Sequence, residues 1–173
     1  ISRCYGICQN SSIYFDSTPT TIAKAALALK KYYDKLYGSG QYKILSIGTS
    51  PAAITEAMSL WDKQLDVIFA PISGVRIPKR LKNIAKHYPN IATLMRYCSV
   101  NGLTKDDGKK IIVLDYYNTG ESLKAIQSVL NERKGITSSK IATHSIIDDL
   151  KNVSGIGAKR YEMAYSQRFC NCR

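Results

Sequence analysis

A chain of 173 residues has room for one hydrophobic core, and its hydrophobic and charged shares, 45% and 22%, are those of an ordinary globular domain. Those values exclude a collagen-like, low-complexity or wholly disordered chain, and no stretch approaches the roughly 20 uncharged apolar residues of a membrane-spanning helix. Lys and Arg number 25 against 13 Asp and Glu, a net charge of +12, so the expected partners are polyanions: nucleic acid, phosphorylated metabolites or acidic lipid headgroups.

Residues 1–18 read as an irregular arm or a short strand around Ile13-Tyr14-Phe15. Ser17-Thr18-Pro19-Thr20-Thr21 then supplies helix-start chemistry. Ile22, Ala25, Ala26, Leu29, Tyr32, Tyr33 and Leu36 recur at helical spacing, with Lys24, Lys30, Lys31 and Lys35 expected on other faces. Gly38 and Gly40 stop this helix. Lys43 to Ile47 predicts a strand, Gly48-Thr49-Ser50-Pro51 a tight turn, and Ala52, Ile54, Ala57, Met58 and Trp61 a second helix.

Leu65 to Ile72 predicts a buried strand, followed by a turn between Gly74 and Pro78 and a basic amphipathic helix over Lys79–His87. Ile91 to Tyr97 is expected to be a strand, and Asn101 to Lys110 a polar loop. The run Ile111-Ile112-Val113-Leu114 suits a central parallel strand covered on both faces. A loop over Asp115–Glu121 leads into a helix from Ser122, with Leu123, Ile126, Val129 and Leu130 inward and Gly135 as its stop. Lys140 to Ile147 predicts a further strand carrying Asp148-Asp149 at its carboxyl end, and Ala158–Phe169 a basic helix.

Alternating strands and helices with short loops predict an α/β domain with a mostly parallel central sheet flanked by helices. One domain is expected over 1–173, with its core at roughly 43–147, an arm and helix before it and a basic extension from 148. The five cysteines are Cys4, Cys8, Cys98, Cys170 and Cys172. The two terminal pairs have C-x3-C and C-x-C spacing and two readings. Either they meet as a four-thiolate metal site or as disulfides, since chain ends often lie close in space, or they are independent reduced thiols in a cytoplasmic protein, with Cys98 in the core. The start at Ile1 without a signal stretch reads as an excised or trimmed domain, which keeps a secreted or effector-type domain as the alternative.

In open parallel sheets, ligands bind outside the carboxyl ends of the strands. The loop from Asp115 to Ser122 has the composition for a phosphate there. Asn118, Thr119, Gly120 and Ser122 lie between a strand and a helix amino end, where unpaired amides and the helix dipole attract an anion. Gly120 allows close backbone approach, the Thr119 and Ser122 hydroxyls can donate to phosphate oxygens, and Glu121 is expected to point outward. Asp115, at the strand tip, is placed to accept hydrogen bonds from sugar hydroxyls. The plainer reading of these residues is a strand-end carboxylate and an ordinary helix cap by Ser122.

The stretch Ile111-Ile112-Val113-Leu114-Asp115-Tyr116-Tyr117-Asn118-Thr119-Gly120-Glu121-Ser122-Leu123 resembles the phosphoribosyl pyrophosphate (PRPP) signature of type I phosphoribosyltransferases. The resemblance implies a three-layer phosphoribosyltransferase-like domain that binds PRPP or a nucleotide, with Mg2+ as the pyrophosphate's companion. Asn118 through Ser122 would hold the ribose 5-phosphate and Asp115 would contact the ribose hydroxyls as the catalytic-site acid. Gly48, Thr49 and Ser50 match the pyrophosphate loop. Arg76, Lys79 and Arg80, after the second strand, become candidates for contacting the pyrophosphate, and a homodimer is compatible with such a domain.

Three positions depart from that pattern. Leu114 replaces the first of two adjacent acids, Asn118 replaces the Asp that serves as general base in the purine branch, and Tyr116 and Tyr117 replace smaller aliphatic residues. The alternatives from other classes are a non-catalytic binding or regulatory domain and an effector or toxin-type domain acting on nucleotide or RNA. Basic clusters at Lys79-Arg80-Lys82-Lys86 and at Lys159-Arg160 with Arg168 would line a polyphosphate cleft or an RNA path, or be solvated faces. Asp148-Asp149 is a candidate for Mg2+ but is expected to be solvated. His87 and His144, without a nucleophile or second ligand at recognisable spacing, are expected to be structural.

Overall fold

The apolar runs of the sequence become one sheet. The computed structural model describes residues 19–72, 89–103, 107–116 and 121–153. Along them run α1 (Pro19–Tyr37), β1 (Tyr42–Ile47), α2 (Ala52–Trp61), β2 (Asp66–Ala70), α3 (Pro89–Val100), β3 (Lys110–Asp115), α4 (Glu121–Lys134), a 3-10 turn (Ser138–Lys140), β4 (Ile141–Ser145) and α5 (Ile146–Asn152). The four strands are all parallel, in the order β2-β1-β3-β4.

Burial explains which runs lie at the centre. All six residues of β1 are buried, as are Ile111 to Leu114 of β3, whereas the edge strands β2 and β4 alternate with exposed positions. Side chains of alternate parity feed two cores. Ile44, Ile112 and Leu114 pack under α1, α2 and α5, while Leu45, Ile47, Ile111 and Val113 pack under α3 and α4. The result is a three-layer α/β architecture of helices, sheet and helices, as the alternation of elements predicts.

Two elements differ from the sequence expectation. Residues 91–97, expected as a strand, belong to α3. Ile91, Leu94 and Cys98 fall at spacings of three and four and are all buried, with Met95 and Tyr97 packed beside them. That helical stripe prevails over the β-branched and aromatic content that suggested a strand. The expected strand over 140–147 ends at Ser145, because the Ser145 hydroxyl accepts the Asp148 amide (3.4 Å) and starts α5. The expected arm at 13–15 and the basic helices over 79–87 and 158–169 lie outside the described residues.

Lys30, expected on a face of α1 away from the apolar stripe, is 7% exposed. Its ammonium reaches Asp34 at 2.8 Å and Asp62, just past α2, at 2.9 Å, which clips the two helices together. Burial works against the ammonium, but the hydrogen bonds to Asp34 and Asp62 outweigh it and raise its pKa above the usual 10.5. In turn, the hydrogen bond from Lys30 holds Asp62 below the usual 3.8.

The Lys30 contribution is complete below pH 10.5 and fades as pH climbs through its raised folded value. The Asp62 contribution is complete above pH 3.8 and fades as pH falls through its lowered one. Lys30→Met leaves two carboxylates without their cation and is expected to lose about 1–3 kcal/mol at neutral pH, a value tempered by the partial exposure of both acids. Urea unfolding reads this directly: the gap to the parent should narrow at acid pH, and equal midpoints at pH 7 would refute the clip.

Candidate functional site

The connections leave β1 and β3 in opposite directions. From β1 the chain crosses through α2 to β2 at one edge, and from β3 through α4 to β4 at the other. Handedness then sends α2 and α4 to opposite faces. The strand order therefore reverses between β1 and β3, and open α/β sheets bind ligands outside the carboxyl ends of the strands at such a switch point.

The β1 loop is shaped by Gly48, whose φ of +74° lies in the left-handed region open to glycine. Its amide donates to the Ala70 carbonyl at 2.8 Å and so ties the end of β2 to the turn. That amide is committed to the sheet, which leaves the exposed Thr49 and half-buried Ser50 as the side chains this loop can offer an anion. No side-chain oxygen caps the start of α2. Thr55, one turn in, is buried and donates to Ser46 Oγ at 3.1 Å, fixing α2 against β1.

Asp115 closes β3. It pairs in register with Ser145 of β4 and lies one residue past the last β1–β3 pair, Ser46 with Leu114. By strand alternation it sits with Ile111 and Val113 on the α4 side, while Leu114 and Tyr116 enter the opposite core. Its Oδ1 accepts the Tyr116 amide at 2.7 Å. Burial pushes its carboxyl above the usual 3.8, outweighing that one amide, which acts the other way.

A buried polar network braces this end of the sheet. Asp149 Oδ2 accepts the Tyr33 hydroxyl at 2.7 Å and lies 2.8 Å from His144 Nδ1, while Tyr37 Oη lies 2.5 Å from His144 Nε2. A carboxylate shared by Tyr33 and Nδ1–H leaves Nε2 to accept the Tyr37 hydroxyl. Burial, followed by the nearby Asp149, raises the Tyr33 pKa well above the usual 10.0, so its phenol stays a donor. The network pins α5 to α1 and β4, and the Ile147 amide of α5 in turn holds the Tyr116 carbonyl at 3.2 Å. Tyr116 is the residue next to Asp115.

His144 is hydrogen-bonded within the fold at both ring nitrogens, to Asp149 and Tyr37. Asp149 is not solvated. It is 6% exposed, and only its neighbour Asp148 is a surface acid, 3.3 Å from Lys151. The sequence does carry the signal: Asp149 lies three residues after Ile146 and one before Leu150, on the buried face of a short helix.

Helix α4 begins at Glu121, so Ser122 lies inside its first turn, half-buried, among the amides that lack an intrahelical acceptor. Asn118, Thr119 and Gly120 lie outside the described residues, as do Arg76, Lys79, Arg80, His87, Cys4, Cys8, Cys170 and Cys172. Cys98 is a buried core thiol. Among the described residues no cluster of His, Cys, Asp and Glu could hold a metal by itself, and no helix is long and apolar enough to cross a membrane. No family model, curated protein or solved structure matches the chain.

Proposed function

We propose that the chain binds PRPP or a related ribose phosphate at the carboxyl ends of β1 and β3. The observation that carries this reading is the position of Asp115, a partly desolvated carboxylate at the tip of a central strand beside the topological switch point. It would accept the ribose hydroxyls, while Thr49 and Ser50 would meet the pyrophosphate and Ser122, with the loop before it, the 5′-phosphate. Mg2+ would arrive with the pyrophosphate, for which one protein carboxylate plus phosphate oxygens is an ordinary ligand set.

The reaction such a site would run is phosphoribosyl transfer. A bond forms from a nitrogen nucleophile to the ribose C1, the C1–O bond to pyrophosphate breaks, and the nitrogen's proton passes to solvent. Catalysis would rest on positioning and on charge stabilisation of the leaving group. A second reading is favoured by Leu114. It stands where the resembled family has its first acid and is wholly buried at 0% exposure, so that position offers nothing to a ribose. With Asn118 in place of a base, this supports a domain that binds without turnover.

Calorimetry with PRPP and Mg2+, beside ribose 5-phosphate and a short RNA, separates the readings. PRPP is expected to bind, and Asp115→Ala to weaken it about tenfold or more, the loss of one well-placed acceptor. Pyrophosphate release on adding nucleobases selects the transferase, and binding without release selects the regulatory domain. If RNA alone binds, with a steep salt dependence, the ribose-phosphate reading is wrong.

A further inference from the structure

We propose that a second ligand site lies at the amino ends of the strands, and that it takes a nucleoside phosphate. A cleft of about 420 Å³ opens there, lined by Leu36, Tyr37, Gln41, Lys110, Ser139 and Lys140. Its size falls within the roughly 300–1,000 Å³ usual for small-molecule pockets. It sits at the opposite end of the strands from Asp115.

The two lysines are held reciprocally. Lys110 Nζ reaches across to the Ser139 carbonyl at 2.6 Å, and Lys140 Nζ reaches back to the Gly108 carbonyl at 2.9 Å. Each ammonium is thus oriented by a carbonyl in the segment that leads into the neighbouring strand, and both border one cavity. Asp107, beside Gly108, is engaged by the buried Lys43 at 2.9 Å. The arrangement presents positive charge with its side-chain entropy already reduced, which is what a phosphate group needs.

The rest of the cleft suits the nucleoside. Tyr37 is held by its hydroxyl on His144 and by edge contacts to the His144 and Tyr42 rings at 5.7 and 6.2 Å. Lys110 Nζ stands 5.7 Å from the Tyr37 ring centre. Leu36, 47% exposed, extends this apolar wall. A base packs against Leu36 and Tyr37 with the Gln41 amide in reach of its polar edge, and its phosphate meets Lys110 and Lys140.

Titration calorimetry with AMP, adenosine, inorganic phosphate and a hexaribonucleotide tests this. AMP is expected to bind saturably, with adenosine and phosphate each about tenfold weaker. In an Asp115→Ala background, which removes the proposed ribose contact at the other end of the strands, Lys140→Gln and Leu36→Glu should each weaken AMP about tenfold. Leu36→Glu alters an exposed side chain, so an unchanged unfolding midpoint separates lost binding from lost fold. AMP affinity unchanged from the parent's in both cleft variants overturns the site. So does AMP binding no better than phosphate, or oligonucleotide binding through these lysines without AMP binding, which assigns the cleft to nucleic acid.

Discussion

Asp149→Ala is expected to lower stability by about 2–4 kcal/mol, because one substitution strands two buried donors. Tyr33 is 0% exposed and gives its hydroxyl to Asp149, and His144, largely buried, gives it Nδ1–H. Tyr33 has no water to turn to, and His144 has little. Tyr33→Phe alone removes a donor and leaves a carboxylate still bonded to His144, so a smaller loss of about 1 kcal/mol is expected. In the Asp149→Ala background the same change should be nearly neutral, since the hydroxyl it deletes is already unpaired.

A double-mutant cycle in urea measures this coupling. Asp148→Ala, one residue away and exposed, serves as the control and should stay within about 0.5 kcal/mol of the parent. If Asp149→Ala unfolds at the parent's midpoint, or if the two changes simply add, the network is decoration. The same variant tests the link to the site. Loss of the α5 anchor should loosen the Ile147–Tyr116 bond and raise amide exchange at the end of β3.

Asp115→Asn is expected to make the protein more stable and less able to bind. In the folded chain burial disfavours the charged carboxyl and lifts its pKa above 3.8. The folded state therefore holds this proton more tightly than the unfolded state. Stability falls as pH rises from the usual carboxylate value through the raised one, and the full penalty stands at neutral pH. An amide of the same shape carries no such charge.

The thermal midpoint of Asp115→Asn should accordingly exceed the parent's at pH 7, with the difference shrinking towards pH 4. PRPP affinity should fall at least about tenfold in the same variant, because Asn offers one acceptor where the ribose needs a carboxylate. A variant that is both less stable and equally competent in binding would remove Asp115 from the proposed site.

The amino-acid sequence by itself determined the layered α/β class and the runs that became β1 to β4. Runs such as Ile111 to Leu114 are apolar at every position, and such runs survive burial on both faces and nothing else. It also determined α1, whose apolar stripe repeats over nineteen residues, and the placing of Asp115 at a strand tip. Short segments were less legible: over 91–97 helical and extended periodicities overlap, and packing of Ile91, Leu94 and Cys98 against the sheet settled the helix.

Tertiary structure alone decided the rest. Strand order is a property of pairing between distant segments, so local pattern could not say that β1 and β3 are neighbours with a switch point between them. Charged residues were misjudged for the same reason. Lys30 and Asp149 look like surface residues until partners 32 and 116 positions away, Asp62 and Tyr33, arrive to neutralise or bond them. A polar side chain is buried when the fold brings it a partner, and that partner is chosen by topology rather than by sequence neighbours.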